Sequence, residues 1–232
     1  MKRANWKQYR GPYGNRMRVR ALSRRLEAEY GPFKPKTRRD PLDELILTVL
    51  SQHTSDANSH RAFERLKAAF STWDEVERAP LRRIEAAIRV GGLAVSKSRT
   101  IKRVLAELKK RDGAYTLDWI ADLPLDEALE ALTDLPGVGI KTASCVLLFS
   151  FGRPSMPVDT HVHRLARRLG LVARKTTADQ TYAVLMAITP EELVYPFHLQ
   201  LIKHGRIVCK SQRPRCAECI LVDLCPSAEL IG

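Results

Sequence analysis

No apolar run in the 232-residue chain approaches the roughly 20 residues needed to cross a bilayer, so no membrane-spanning role is expected. The N-terminus is basic but lacks the apolar core of a secretory signal. No stretch alternates convincingly as a strand would, and neither repeats nor low-complexity tracts occur apart from the basic N-terminus. Acidic residues are in deficit: 26 Asp+Glu face 39 Lys+Arg, for a net charge of +13. That balance favours a polyanionic partner, nucleic acid before an anionic membrane surface. Cysteines number five and are concentrated near one end, which fits a cytosolic protein whose thiols are reduced or metal-bound.

What remains is helical. Residues 1–20 hold seven Lys and Arg among Gly11, Pro12 and Gly14, which predicts a flexible basic arm, either a solvated tail or a loose grip on phosphates. Ala21–Tyr30 reads as a helix ended by Gly31-Pro32, and a basic linker follows. From Leu42, apolar positions recur at helical spacing: Leu45, Ile46, Val49 and Leu50; Ala62, Phe63, Leu66, Ala69 and Phe70; Leu81, Ile84, Ala87 and Ile88; Ile101, Val104, Leu105 and Leu108. Leu125–Thr133 and the run after Gly139 bring the count to six. Later helices are expected at Val162–Leu169, Thr177–Ala187 and His198–Cys209. The fold class is all-α.

The chain is organised around Leu135–Leu165. Pro136, Gly137 and Gly139 form a turn ahead of the apolar run Ile140–Phe151. A glycine turn that opens a helix presents free N–H groups and suits a phosphate, so Gly137 and Gly139 are candidate phosphate contacts. Lys141 falls in the first turn of that helix. A cation is mildly disfavoured there, because the helix dipole is positive at that end. An ordinary lysine has a pKa of about 10.4, whereas attack on carbon needs the neutral amine, which a positive helix end and an apolar pocket both favour. Lys141 is therefore either a phosphate-binding or surface lysine, or a nucleophile. Asp159 follows a second Gly/Pro break and is placed to cap the next helix. A carboxylate held by helix N–H groups stays ionised and can support a positively charged centre or take a proton. His161 and His163 are read as packing residues.

Cys209, Cys216, Cys219 and Cys225 are separated by six, two and five residues. Four cysteines so close together indicate a metal rather than disulfides, and their residue types allow zinc or an iron–sulfur cluster. Lys210, Arg213 and Arg215 in the first loop either touch phosphates or offset thiolate charge. Cys145, on the apolar helix, is read as a buried structural thiol.

Leu135-Pro-Gly-Val-Gly-Ile-Lys-Thr-Ala143, Pro157-Val-Asp-Thr-His161 and the cysteine run together resemble the endonuclease III family of DNA glycosylases, over roughly Asp43–Cys225. The resemblance implies a helix-hairpin-helix fold with two helical domains flanking a DNA-binding cleft. One would be a six-helix domain over 43–153; the other, discontinuous, would join 21–42 to 154–232 and carry a 4Fe–4S cluster on the four cysteines. It implies that Lys141 is the nucleophile and Asp159 the catalytic carboxylate, facing each other across the cleft. The implied activity is base excision repair: removal of oxidised pyrimidines from duplex DNA through a lysine Schiff base, then β-elimination of the strand. Adenine-removing relatives commonly carry serine at the position of Lys141. The implied partner is double-stranded DNA with a damaged base or abasic site, engaged by a cytoplasmic monomer, nucleoid-associated in a bacterium.

Two loops match the family's DNA-entering loops. Leu93, in Gly91-Gly92-Leu93-Ala94-Val95-Ser96-Lys97, is the expected wedge. In Ser51-Gln52-His53-Thr54-Ser55-Asp56, the gap-filling glutamine expected at position 53 stands instead at Gln52, with His53 in its place, so both are candidates. The competing readings are a monofunctional glycosylase for another lesion or mismatch, a non-catalytic iron–sulfur DNA-binding protein, and a zinc-bound structural module.

Overall fold

The computed structural model describes residues 15–35 and 38–228. In chain order its helices are α1 (Arg16–Tyr30), α2 (Pro41–Ser51), α3 (Asp56–Ala69), α4 (Trp73–Arg78), α5 (Leu81–Ile88), α6 (Ala94–Asp112), α7 (Leu125–Thr133), α8 (Ile140–Phe149), α9 (Thr160–Arg168), α10 (Ala178–Ile188) and α11 (Glu191–Ile207). Among the described residues there is no strand. None of the described helices is long and apolar enough to cross a membrane.

Capping residues set many of the boundaries. Asp40, Ser55, Thr72 and Asp159 each accept a backbone N–H from the helix they precede, and Thr177 with Gln180 forms a capping box. Gly31 and Gly113 end α1 and α6 at positive φ, where a side chain would be strained.

The described chain divides into two compact units. The first runs from α2 to Arg153. Its centre is α2 against α3, α6 and α8, with Leu45, Ile46, Val49 and Leu50 fully buried together with Ala143, Val146 and Leu147. Burial on every side explains why Thr142–Leu148 carries no charged residue. The second unit joins α1 to everything described from Pro154 onward. In it α11 packs on α1 and α9, and Ser23 Oγ donates to Gln200 Oε1 at 2.9 Å inside the α1–α11 contact.

Three expectations need correction. The basic arm over residues 1–20 does not extend to Arg20. Asn15 caps α1 by accepting the Arg18 amide, Val19 is fully buried, and Arg18 donates to the carbonyls of Leu169 and Leu224 at 2.9 and 2.7 Å. The remainder of that arm, residues 1–14, lies outside the described residues. The six-helix segment holds seven helices, because α4 is only six residues long and buries Val76 alone, too little for an apolar rhythm. Finally, α11 begins at Glu191 rather than His198. It runs through Pro196, following Pro190 as N-cap and two first-turn glutamates.

Candidate functional site

The turn between α7 and α8 is held by the Val138 amide bonding to the Leu135 carbonyl at 3.1 Å. Gly137 sits at φ 79°, and a Cβ there would come within 2.8 Å of Thr100 Cγ2, so both backbone and packing require glycine. Gly139 differs. It is the exposed N-cap of α8 at φ −97°, and a Cβ would meet no atom of the protein within 4 Å. No side chain caps α8, so the first-turn amides point outward without an intrahelical partner. Lys141, second residue of α8, is half-buried just behind this turn.

Asp159, half-buried, belongs to the other unit. Its Oδ1 accepts the Val162 amide at 2.7 Å, so the carboxylate caps α9. His161 and His163 on α9 are engaged locally. Arg164 Nη2 donates to His161 Nδ1 at 3.1 Å, and His163 Nδ1 lies 2.9 Å from Thr181 Oγ1. Burial holds both imidazoles below the ordinary histidine range. Gly205 of α11 lets α9 approach closely, since a Cβ there would lie 3.0 Å from His161 Nδ1.

Both loops expected to enter DNA carry strained backbone. Gln52 is the half-buried C-cap of α2, while the exposed His53 adopts φ 53°. Leu93 is 56% exposed at φ 50°, and Val95 beside it is 50% exposed. Left-handed backbone at a residue with a side chain costs about 1–2 kcal/mol, so each turn holds its apex residue outward at some expense. Val95 was not singled out from sequence, where it reads as an ordinary first-turn residue.

The four cysteines of the C-terminal run line one pocket with Leu165, Leu169, Val208 and Val222. All four thiols are free, and among the described residues no three His, Cys, Asp or Glu side chains are arranged to hold a single metal ion. Burial pushes the Cys219 and Cys225 thiols up, and the neighbouring cysteines push in the same direction. The surroundings offer donors that sequence reading missed. Arg168 Nη1 donates to Cys209 Sγ at 3.3 Å and to the Lys210 carbonyl at 2.6 Å. His204 Nε2 lies 3.4 Å from Cys219 Sγ, and its Nδ1 lies 2.8 Å from Tyr30 Oη. Burial sends His204 down to about 4 and Tyr30 up to about 12. Arg164 and Arg168 stand one turn apart on α9, a spacing visible in the sequence but silent about its target. In the first cysteine loop Lys210 and Arg213 are exposed. Arg215 instead closes the loop, donating to the Ile207 carbonyl at 2.7 Å and pairing with Glu218 at 3.1 Å.

A family model described as HhH-GPD superfamily base excision DNA repair protein matches residues 46–191. Endonuclease III of Thermotoga maritima is 37% identical over 186 residues, covering 80% of this chain and 83% of that protein. Endonuclease III of Escherichia coli K12 is 31% identical over 214 residues, covering 92% and 97%. An Arabidopsis thaliana relative named provisionally as a DNA glycosylase is 40% identical over 189 residues, and the match spans 64% of its length. Among solved structures, a non-covalent endonuclease III–DNA complex superposes with a TM-score of 0.80 at 31% identity, over 93% of this chain and 97% of the other. A trapped endonuclease III–DNA covalent intermediate gives the same TM-score over 93% and 98%.

Proposed function

The chain belongs to the HhH-GPD superfamily of base excision DNA repair proteins, as a glycosylase of the endonuclease III type, and on that footing we propose how its own residues act. It is a bifunctional DNA glycosylase and abasic-site lyase whose nucleophile is Lys141. The observation that carries this reading is the primary amine of Lys141, in the first turn of α8 directly behind the uncapped glycine turn. The turn's free amides bind a backbone phosphate, and Gly139, with no protein atom near its absent Cβ, leaves the room for that approach.

Duplex DNA carrying a damaged base binds so that the lesion nucleotide leaves the stack. The lone pair of Lys141 Nζ attacks C1′ of the deoxyribose. The glycosidic bond breaks and its electron pair leaves with the base, which takes up a proton. Opening of the sugar ring gives an imine between Nζ and C1′. Loss of a proton from C2′ then expels the 3′ phosphate by β-elimination, and water releases the lysine. Asp159, whose Oδ1 accepts the Val162 amide, stabilises positive charge on the sugar and accepts the proton that Lys141 sheds. Leu93 and His53, outward at the tips of their turns, fill the space the base vacates. Lys210 and Arg213 add phosphate contacts.

Oxidised pyrimidines are the proposed lesions and genomic DNA the partner, met by a monomer in the cytoplasm, at the nucleoid in a bacterium. Cys209, Cys216, Cys219 and Cys225 would hold a 4Fe–4S cluster. The residues fit it: four thiols crowded in an apolar pocket are costly as free thiolates but matched by cluster iron, with Arg168 donating to one sulfur. When bound, such a cluster pins the basic loop and can carry single electrons.

The test is incubation with duplexes each bearing one damaged base. Release of free base together with a β-elimination end supports the reading. Release of base with an intact abasic strand would make the enzyme monofunctional, and binding without release would make it non-catalytic. Brown, visibly absorbing protein supports the cluster, and colourless protein containing zinc contradicts it.

A further inference from the structure

The strained residues His53 and Leu93 lie on separate turns of one unit, and one buried side chain joins those turns. Lys97, near the start of α6, is 2% exposed. Its ammonium donates 2.7 Å hydrogen bonds to the carbonyls of Leu50 and Gly91. Leu50 lies in the last turn of α2, just before Gln52 and His53. Gly91 ends the short 3-10 turn Arg89–Gly91, just before Leu93. Both carbonyls stand at C-terminal helix ends, where acceptors lack intrahelical partners and a cation is favoured. The backbone of Lys97 reaches the same turn: its amide bonds to the Leu93 carbonyl at 3.0 Å, where Ser96 Oγ also donates at 3.0 Å. The two turns pack closely, since a Cβ at Gly91 would lie 3.1 Å from Ala62 Cβ and 3.9 Å from the Leu50 carbonyl oxygen.

An ammonium in this position is costly: burial pulls Lys97 below the ordinary lysine range. An apolar side chain of the same length would fill the space without that penalty. Only a donor of several hydrogen bonds can join two carbonyls from distant segments.

We propose that Lys97 is a positioning residue that locks the Leu93 turn to the Gln52–His53 turn, so that the two enter the DNA stack as one unit. The proposal rests on the glycosylase reading above. It assigns Lys97 no contact with DNA and no part in the chemistry.

The test uses the full-length protein and a duplex with 2-aminopurine opposite the damaged base, whose fluorescence rises when that base is unstacked. Lys97→Met keeps the length and removes the donors; Lys97→Arg keeps charge and several donors. Lys97→Met is expected to lose most of the fluorescence rise and to slow single-turnover base release by about 10- to 100-fold, the scale of charge-assisted hydrogen bonds. Nicking of an abasic site in single-stranded DNA, which has no stack to open, should stay within about twofold of the unaltered protein. Lys97→Arg should recover the fluorescence, and Lys97→Met combined with Leu93→Ala should lose less than the sum of the two. Equal loss on single-stranded DNA, additive losses, or an undiminished fluorescence rise would overturn the proposal.

Should Lys97→Met not fold, Lys97→Gln serves, because its shorter amide keeps a donor without spanning both carbonyls. The same separation of duplex from single-stranded activity is expected, and normal fluorescence there also overturns the proposal. If the intact protein releases no base, the glycosylase reading fails, yet the fluorescence comparison needs only binding and still decides the role of Lys97.

Discussion

Asp159 Oδ1 accepts the Val162 amide at 2.7 Å, so the carboxylate assigned to chemistry is also the cap of α9. The two roles separate by substitution. Asn caps as well as Asp, so Asp159→Asn should melt near the unaltered protein while base release falls by about 100-fold or more. Asp159→Ala should lose the same activity and, in addition, about 1 kcal/mol of stability by denaturant titration.

The two glycines of the α7–α8 turn should respond differently. Gly137→Ala places a Cβ at φ 79° and 2.8 Å from Thr100 Cγ2, and should cost about 1–3 kcal/mol in urea melts. Thr100→Ala in the same chain should recover part of that loss. Gly139→Ala meets no protein atom and should cost under about 1 kcal/mol. Its main effect should be weaker binding to duplex DNA, measured by anisotropy.

The basic residues of the cysteine loop are not equivalent. Lys210→Ala and Arg213→Ala should each reduce the slope of log affinity against log salt by about 1 and leave stability unchanged. Arg215→Ala should loosen the loop, because its guanidinium holds the Ile207 carbonyl and Glu218. Faster amide exchange around Cys209–Cys219, with little change in salt slope, is the expected signature.

Acid should destabilise the α9–α11 unit. Burial, the largest influence, lowers His161 and His163; Arg164 and Arg206 add to it at His161 against Asp159, and Arg167 adds to it at His163. The unfolded chain therefore binds more protons below the free imidazole pKa of about 6.5. Stability is fully present above that pH and is lost as pH falls through the depressed folded values. Thermal melts from about pH 7.5 down to 5 should show the decline, and His163→Gln should flatten it.

Much of this was legible in the residues. The Pro/Gly turn before Lys141 and the aspartate before Thr160 announce their roles as turn and cap, because local backbone chemistry alone demands them. The helices of the α2–α8 unit follow from apolar spacing wherever a helix buries a whole stripe. α4 escaped notice because it buries one residue, and the start of α11 because Pro196 resembles a stop. Lys97 closes the loop that resembles the family's wedge, but its burial was not legible: a lysine early in an amphipathic helix reads as surface. Its burial depends on a carbonyl from α2, a contact made only in the folded chain. The left-handed backbone at His53 and Leu93 is likewise not announced by those residue types.

The central claim is that the amine of Lys141 becomes covalently joined to the sugar of the lesion. Borohydride reduction during turnover on a damaged duplex tests it most directly, with products resolved by denaturing electrophoresis and the attachment mapped by peptide mass spectrometry. The account predicts a stable protein–DNA adduct at Lys141 and none with Lys141→Gln. An adduct that persists in the glutamine variant, or maps to another residue, would contradict it.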